Sequence, residues 1–364
     1  MRILRISQHL YPDVTGGMPY HVHAMSRDQA AMGHDVTVVT VSGDASLPRH
    51  EERDGYRIIR ARPTFELIGN AFAKGVWDEL RAVGEYDVVH AHAHYYFSTL
   101  FAALRRHVND TPLAITNHGL YSQRAPERLF RWYLRTLGRW TINQADLVFC
   151  YSETDRNRVR ELGVSSPIKI VPNGIDTDLF TPEGPESKLI ESEGPVVLFV
   201  GRLVEGKRPV IALEAFAEVL KEYPDAELYL CGDGPLRENL KRRVRELGID
   251  ESVTFLGQMP YDEMPKVYRS GDVLVLPSRA EGVPRTVFEA LSSGLQVVCS
   301  ELAQVRSAFG KAVMYVGEGD TFGEGLVDAL QNPIDRSELD EQFHWEQTVD
   351  ATTAAIAQLT AGKE

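Results

Sequence analysis

The chain has 364 residues, 43 % of them hydrophobic and 25 % charged, with a formal net charge of −13. This is the composition of an ordinary globular protein of about two domains. The acidic balance argues against non-specific binding to nucleic acid, and no apolar run reaches the roughly 18 residues of a membrane span.

The chain opens on a short apolar strand, 2–7, read directly as structure and not as a leader. A loop with Gly16-Gly17 follows, then a helical pattern over 20–32 closed by Gly33, then a strand at 36–41. This β-loop-α-β order begins a doubly wound sheet. Further strands are predicted at 56–61, 86–91, 112–117, 146–151 and 168–171, with helices at 71–83, 96–108, 124–142 and 153–162.

The stretch 172–195 is rich in Pro, Gly and acidic residues and reads as an interdomain linker. A second series follows, with strands at 196–200, 227–231, 252–256, 272–276, 295–299 and 312–316, and helices at 208–222, 235–247, 260–269 and 284–293. A last helix fits 345–361. The fold class is therefore α/β, with two parallel-sheet domains in series. Cys150, Cys231 and Cys299 stand far apart without metal-ligand spacing and read as buried free thiols of a reducing cytoplasm.

Candidate residues for chemistry sit where strands end. Gly16-Gly17 permits close approach of backbone to a ligand, and equally an ordinary turn. His90, His92 and His94 alternate at a strand end and share one face if the strand continues that far; polar residues facing a ligand cleft is the preferred reading over a metal site. His118 follows another apolar strand and could contact a sugar hydroxyl or assist proton movement. Arg128, Arg131, Arg135 and Arg139 recur at helical spacing among aromatic and apolar residues. Such a helix is either a solvated face over a packed one or an acceptor-side contact with an anionic membrane surface. Asp176-Thr177-Asp178 resembles a metal-binding D-x-D, but its place in the linker points to a turn or helix cap.

In the second series, Arg202 and Lys207 lie between strand and helix, where two cations and helix N-terminal amides can neutralise a diphosphate, or the two cations can equally be solvated charges. Gly232 and Gly234 form a tight turn beside a base or ribose, or a purely structural one. The stretch 277–294 places Glu281 in a Gly/Pro-bounded loop and Glu289 on the helix that follows. The loop's exposed amides suit an anionic ligand, and this segment is read as holding a nucleotide-sugar.

Taken together, Gly16-Gly17, His118, Asn173-Gly174, GRLVEGK (201–207), CGDGPL (231–236) and the Glu281/Glu289 pair resemble the retaining glycosyltransferases of family 4 across nearly the whole chain. The resemblance implies the GT-B fold, two Rossmann-like domains with parallel sheets facing across a cleft. It implies an acceptor-binding domain over 1–180, a nucleotide-sugar-binding domain over 181–344, and a terminal helix, 345–364, packing back on the first domain. By the same resemblance Gly16, Gly17, Gly232, Gly282, Val283 and Pro284 line the donor, and Arg202 and Lys207 hold the leaving diphosphate. Glu289 binds the ribose, Glu281 the transferred sugar, and His118 contacts that sugar near the reacting centre. The reaction implied is retaining transfer from a nucleotide-diphosphate-sugar to a glycan or lipid-linked acceptor. No cofactor and no catalytic metal are expected, and the implied setting is the cytoplasm, extending to the inner face of a membrane. Two departures stand out: Val283-Pro284-Arg285 replaces the commoner Phe-Gly-Leu, and Gln296 replaces a proline with no Gly-Gly after it. A sugar-nucleotide epimerase or phosphorylase, or a non-catalytic nucleotide-sugar-binding module, are the competing readings. The missing G-x-G-x-x-G argues against a dinucleotide oxidoreductase.

Overall fold

The structure is a computed structural model. It describes residues 1–67, 69–81, 86–121, 127–317, 319, 321–334 and 343–361. The chain divides into two compact units, Met1–Asn173 with Glu346–Glu364, and Gly174–Trp345. The first boundary lies seven residues before the one read from the sequence.

The first unit carries, in order, β1 (Arg2–Ile6), α1 (Gly17–Ala31), β2 (Asp35–Val41), β3 (His50–Arg53), β4 (Tyr56–Ala61), β5 (Phe65–Leu67), β6 (Asn70–Phe72) and α2 (Lys74–Arg81). β7 (Val88–His92), α3 (Phe97–Val108), β8 (Leu113–Thr116), α4 (Glu127–Tyr133), a π-helical segment (Leu134–Gly138), α5 (Arg139–Asn143), β9 (Leu147–Cys150), α6 (Glu153–Glu161) and β10 (Ile168–Ile170) follow. Among the described residues its sheet runs β10-β9-β8-β7-β1-β2-β4-β3, parallel except for β3 against β4. Strand order reverses between β1 and β7, so the loops after these strands open at the switch point where α/β sheets bind ligands.

The second unit carries β11 (Val196–Val200), α7 (Pro209–Glu222), β12 (Glu227–Cys231), α8 (Arg237–Leu247), β13 (Val253–Gly257), α9 (Met264–Arg269) and β14 (Val273–Leu276). It continues with α10 (Arg285–Ser292), β15 (Gln296–Ser300), α11 (Ala303–Phe309), β16 (Met314–Val316) and α12 (Phe322–Gln331). Its sheet, β13-β12-β11-β14-β15-β16, is wholly parallel, with the switch point between β11 and β14. Strands such as β11 (VVLFV) and β14 (VLVL) are buried throughout. Both faces of a parallel sheet are covered by helices, so these strands read as continuous apolar runs without alternation.

α13 (Trp345–Ala361) is amphipathic and belongs to the first unit beyond its opening residue. Ala355 and Ile356 pack with Ile3, Val22, Val36 and Val38, and Thr353 accepts a 2.8 Å hydrogen bond from Gln29 Nε2.

The sequence reading misses several elements. β3 and the β5–β6 hairpin are short and polar or exposed, and α11 and α12 fall where only loops were expected. α12 is nonetheless signalled by Thr321, whose side chain caps the amide of Glu324, a capping box in sequence terms. The predicted ends of two helices, 82–83 and 124–126, lie outside the described residues.

The acidic stretch after residue 173 is not a free linker. Phe180 is buried edge-on against Tyr261 and Tyr268, and Arg269 holds the carbonyls of Thr181 and Pro185. Composition missed this because a few apolar residues, Ile175, Phe180 and Ile190, anchor an otherwise polar segment. Asp176 Oδ1 accepts from the amides of Asp178 and Leu179, the turn expected of it.

Candidate active site

In the first unit, the loop after β1 ends at Gly16, whose φ of 145° no L-residue adopts comfortably, and Gly17 begins α1. Opposite, at the ends of β7 and β8, lies a histidine cluster. His90, His92 and His94 are fully buried. This corrects the expectation that they face a ligand cleft: His90 and Nδ1 of His92 pair with neighbouring side chains, whereas Nε2 of His92 and both ring nitrogens of His94 are buried without a hydrogen-bond partner among the described residues. His90 Nε2 pairs with Thr116 Oγ1 at 2.7 Å. His92 Nδ1 lies 3.0 Å from His118 Nε2, and His118 Nδ1 lies 3.0 Å from Tyr151 Oη. His118 is thus held at both ring nitrogens, on a half-buried ring. His21 packs edge-on to His118 and pairs with Asn173 Oδ1 at 3.0 Å, which explains the asparagine of the Asn173-Gly174 motif.

Burial disfavours the charged ring. It pushes His94 down to about 4, and burial together with His94 pushes His118 to about 3. His90 and His92 are held well below their ordinary value, by burial first and then by Arg5 and His90 respectively. The cluster is neutral at pH 7 and can donate or accept hydrogen bonds without carrying charge. Among the described residues no group of three His, Cys, Asp or Glu side chains is arranged to hold a metal ion.

Arg128, Arg131, Arg135 and Arg139 are all exposed, but they do not form one α-helical stripe. The π-helical turn at 134–138 breaks the register there. Thr136 Oγ1 donates to the carbonyl of Trp132, and Gly138 lies close against the Tyr133 ring. Leu129, Trp132 and Leu137 are exposed among the arginines, so cationic and apolar groups interleave on the surface.

The second unit gathers its candidate residues around the β11/β14 switch point. Lys207 Nζ lies 2.5 Å from Glu281 Oε1, with Glu281 almost wholly buried. The side chain of Gln304, on α11, donates to the Glu281 carbonyl. Arg208 adopts φ 48° before α7 and donates to Pro277 O and to Ser300 Oγ, tying together the ends of β11, β14 and β15. Arg202, by contrast, is exposed.

For Gly232 and Gly234 backbone packing alone requires glycine, in line with the structural alternative of the two readings. A Cβ on Gly232 would lie 2.0 Å from the carbonyl oxygen of Gly201, and one on Gly234 2.5 Å from that of Leu203. The glycines let the β12 loop press against the backbone of the cation-bearing β11 loop, so they shape that loop whether or not a ligand touches them.

Glu289, on α10, is buried, and each of its oxygens accepts a 3.0 Å hydrogen bond, from Tyr261 Oη and from Tyr268 Oη. Burial, with Glu289 beside it, pushes the Tyr268 phenol well up, so it stays a donor. Arg285 Nε stands 3.6 Å from Glu289, within an ion pair. Gly282, Val283 and Pro284 lead into α10, with Pro284 extended just before the first turn, so the helix start survives the Val-Pro-Arg sequence. Gln296 is absorbed structurally: its Oε1 accepts from the amide of Ile334. A groove of about 1310 Å³ between α7 and α12 is lined by Arg208 and Ser278 but not by Lys207, Glu281 or Glu289.

Arg5, Arg208, Tyr261 and Tyr268 carry no signal in the sequence, and Arg285 stands out there only as part of the Val283-Pro284-Arg285 departure.

Comparison with known proteins gives these residues a context. The family model for Glycosyltransferase Family 4 matches residues 15–179, and that for Glycosyl transferases group 1 matches 181–345. The chain belongs to this glycosyltransferase family. The glycosyltransferase is 27 % identical over 345 residues to the GDP-mannose-dependent alpha-(1-6)-phosphatidylinositol monomannoside mannosyltransferase of Mycolicibacterium smegmatis, covering 89 % of this chain and 86 % of that one. Among solved structures it is similar to sucrose-phosphate synthase from Thermosynechococcus elongatus, with a TM-score of 0.82, 21 % identity and full coverage of both chains. It is similar also to Anabaena HepE in complex with UDP-glucose, with a TM-score of 0.73, 20 % identity, and coverage of 100 % and 98 %. These neighbours establish the GT-B fold, two Rossmann-like domains with parallel sheets.

Proposed function

We propose that this glycosyltransferase moves a sugar from a nucleoside-diphosphate-sugar to a hydroxyl of a glycan or lipid-linked acceptor, with retention at the anomeric carbon and without a catalytic metal. The observation that carries the reading is the Lys207–Glu281 pair at the switch point of the second sheet, with Glu289 buried nearby in sequence under two phenols. Lys207 and Arg202 supply positive charge to a departing diphosphate, which is the largest electrostatic demand of the reaction. Glu281, already fixed by Lys207 and positioned through its carbonyl by Gln304, serves the transferred sugar. Glu289 retains lone pairs beyond those used by the tyrosines and accepts from vicinal ribose hydroxyls. His118 meets the transferred sugar as a neutral ring whose tautomer is set by Tyr151 and His92.

The acceptor falls to the first unit. The named relative acts on a phosphatidylinositol monomannoside, which supports a lipid-linked acceptor here. Arg128, Arg131, Arg135 and Arg139, interleaved with exposed Leu129, Trp132 and Leu137, suit an anionic membrane surface. No helix among the described residues is long and apolar enough to cross a membrane.

The test is a thermal-shift screen of UDP- and GDP-sugars, since a ligand of the folded state raises the melting temperature. A shift with one donor, followed by transfer that survives a chelator and yields an α-linked product from an α-donor, is the expected result. No shift with any nucleoside diphosphate or its sugar overturns the reading. Isomerised donor without an acceptor would replace transfer with epimerisation.

A further inference from the structure

Arg285 is buried on the first turn of α10, and its planar guanidinium touches four things at once. Nη1 donates to the carbonyl of Gly174 at 2.8 Å. Nη2 donates to Tyr261 Oη at 2.9 Å, and that hydroxyl donates in turn to Glu289 Oε1 at 3.0 Å. Nε lies 3.6 Å from the same Glu289 oxygen. The guanidinium carbon stands 5.6 Å from the ring centroid of Trp345.

Gly174 and Trp345 are the first and last residues of the second unit. The chain leaves that unit at these two points and nowhere else. Next to them the two crossing strands bond to each other: Ile175 N donates to Phe343 O at 2.9 Å, and Trp345 N to Ile175 O at 2.8 Å. Arg285 therefore joins a carboxylate of the candidate nucleotide site to both crossings of the chain. A lysine, with one point charge, cannot span these directions; a fork of fixed geometry can.

We propose that Arg285 is a positioning residue that orients Glu289 for the ribose and couples nucleotide occupancy to the order of the paired crossings at Gly174–Ile175 and His344–Trp345. The coupling rests on the reading of Glu289 as a ribose ligand. A ribose hydroxyl that shares Glu289 Oε1 with Tyr261 re-orients the Tyr261 hydroxyl, and Arg285 passes that change on because one rigid guanidinium donates to that hydroxyl and to the Gly174 carbonyl and lies over the Trp345 ring.

The experiment combines calorimetric titration of UDP and GDP with hydrogen exchange at the amides of Ile175 and Trp345, in the wild type and in Arg285→Leu, Arg285→Lys and Tyr261→Phe. In the wild type, saturating nucleotide slows exchange at both amides. In Arg285→Leu, nucleotide binds about tenfold more weakly, and at saturation the slowing is lost. Arg285→Lys recovers part of the affinity but not the slowing. Tyr261→Phe removes a single hydroxyl and remains informative even if Arg285→Leu does not fold; it weakens binding a few-fold and diminishes the slowing. Wild-type affinity in Arg285→Leu, or undiminished slowing in either Arg285 variant at saturation, overturns the coupling. Failure of the wild type to bind either nucleotide overturns the ribose reading itself, and the coupling with it.

Discussion

Acidification from pH 7.5 to 5.5 is expected to destabilise the first unit strongly, and the histidines set the size of the effect. Every histidine of the chain except His344 lies in that unit. Burial pushes His23 and His94 down to about 4 and, with the neighbouring His94, pushes His118 to about 3; His90 and His92 lie well below their ordinary value. In the unfolded chain each titrates near 6.5. Above that value both states are neutral and these groups contribute no pH dependence. Below it the unfolded chain binds protons that the folded one refuses, so stability falls as pH drops from 6.5 toward 4. At pH 5.5, one unit below the unfolded value, each group costs about 1.4 kcal/mol. The five together cost up to roughly 7 kcal/mol, comparable with the total stability of a typical domain. A fall in melting temperature of at least about 10 °C is expected. Fluorescence of Trp77, Trp132 and Trp140, all in the first unit, follows the transition, and calorimetry in buffers of different ionisation enthalpy counts the protons. A shift of less than about 2 °C, or uptake of fewer than about one proton on unfolding at pH 5.5, would refute the argument.

Other outcomes follow from the same geometry. Gly232→Ala forces a methyl onto the Gly201 carbonyl and should cost about 3 kcal/mol in chemical denaturation. Gly248→Ala, with φ +67° but nothing within 4 Å, should cost only about 1 kcal/mol. Removing one partner of the buried Lys207–Glu281 pair, as in Lys207→Met, should destabilise by about 3 kcal/mol. The double variant Lys207→Met with Glu281→Gln should be more stable than Lys207→Met alone, and equal stability would deny the pair. Glu281→Gln should retain nucleoside diphosphate binding in calorimetry but lose transfer by at least about a hundredfold; wild-type turnover would remove Glu281 from the reaction. Replacing Arg128, Arg131 and Arg135 by Gln should abolish co-sedimentation with vesicles containing anionic lipid, and unchanged binding would reject the membrane surface.

The sequence by itself determined the two α/β series, because buried parallel strands are continuous apolar runs and the helices between them are amphipathic. It also marked Lys207, Glu281 and Glu289, since these stand at strand ends or on an apolar helix where a charge is conspicuous. It placed His90 and His92 on one face by strand period, but β7 ends at His92 and Ala93 turns with φ 61°, so period does not carry His94 along and cannot say whether that face meets water. Only packing decided that they are buried and that His118 is held between Tyr151 and His92, residues far apart in the chain. The arginines at 128–139 were legible as residues but not as a surface, because a π-helical turn changes which side chains share a face. The polar stretch after Asn173 read as a linker because composition averages over the few buried residues that anchor it. Helical spacing brings Arg285 beside Glu289, but tertiary structure alone brought Gly174, Tyr261 and Trp345 to them. Hydrogen bonding is directional and short-ranged, and no one-dimensional spacing records which distant carbonyl or hydroxyl a buried guanidinium will find.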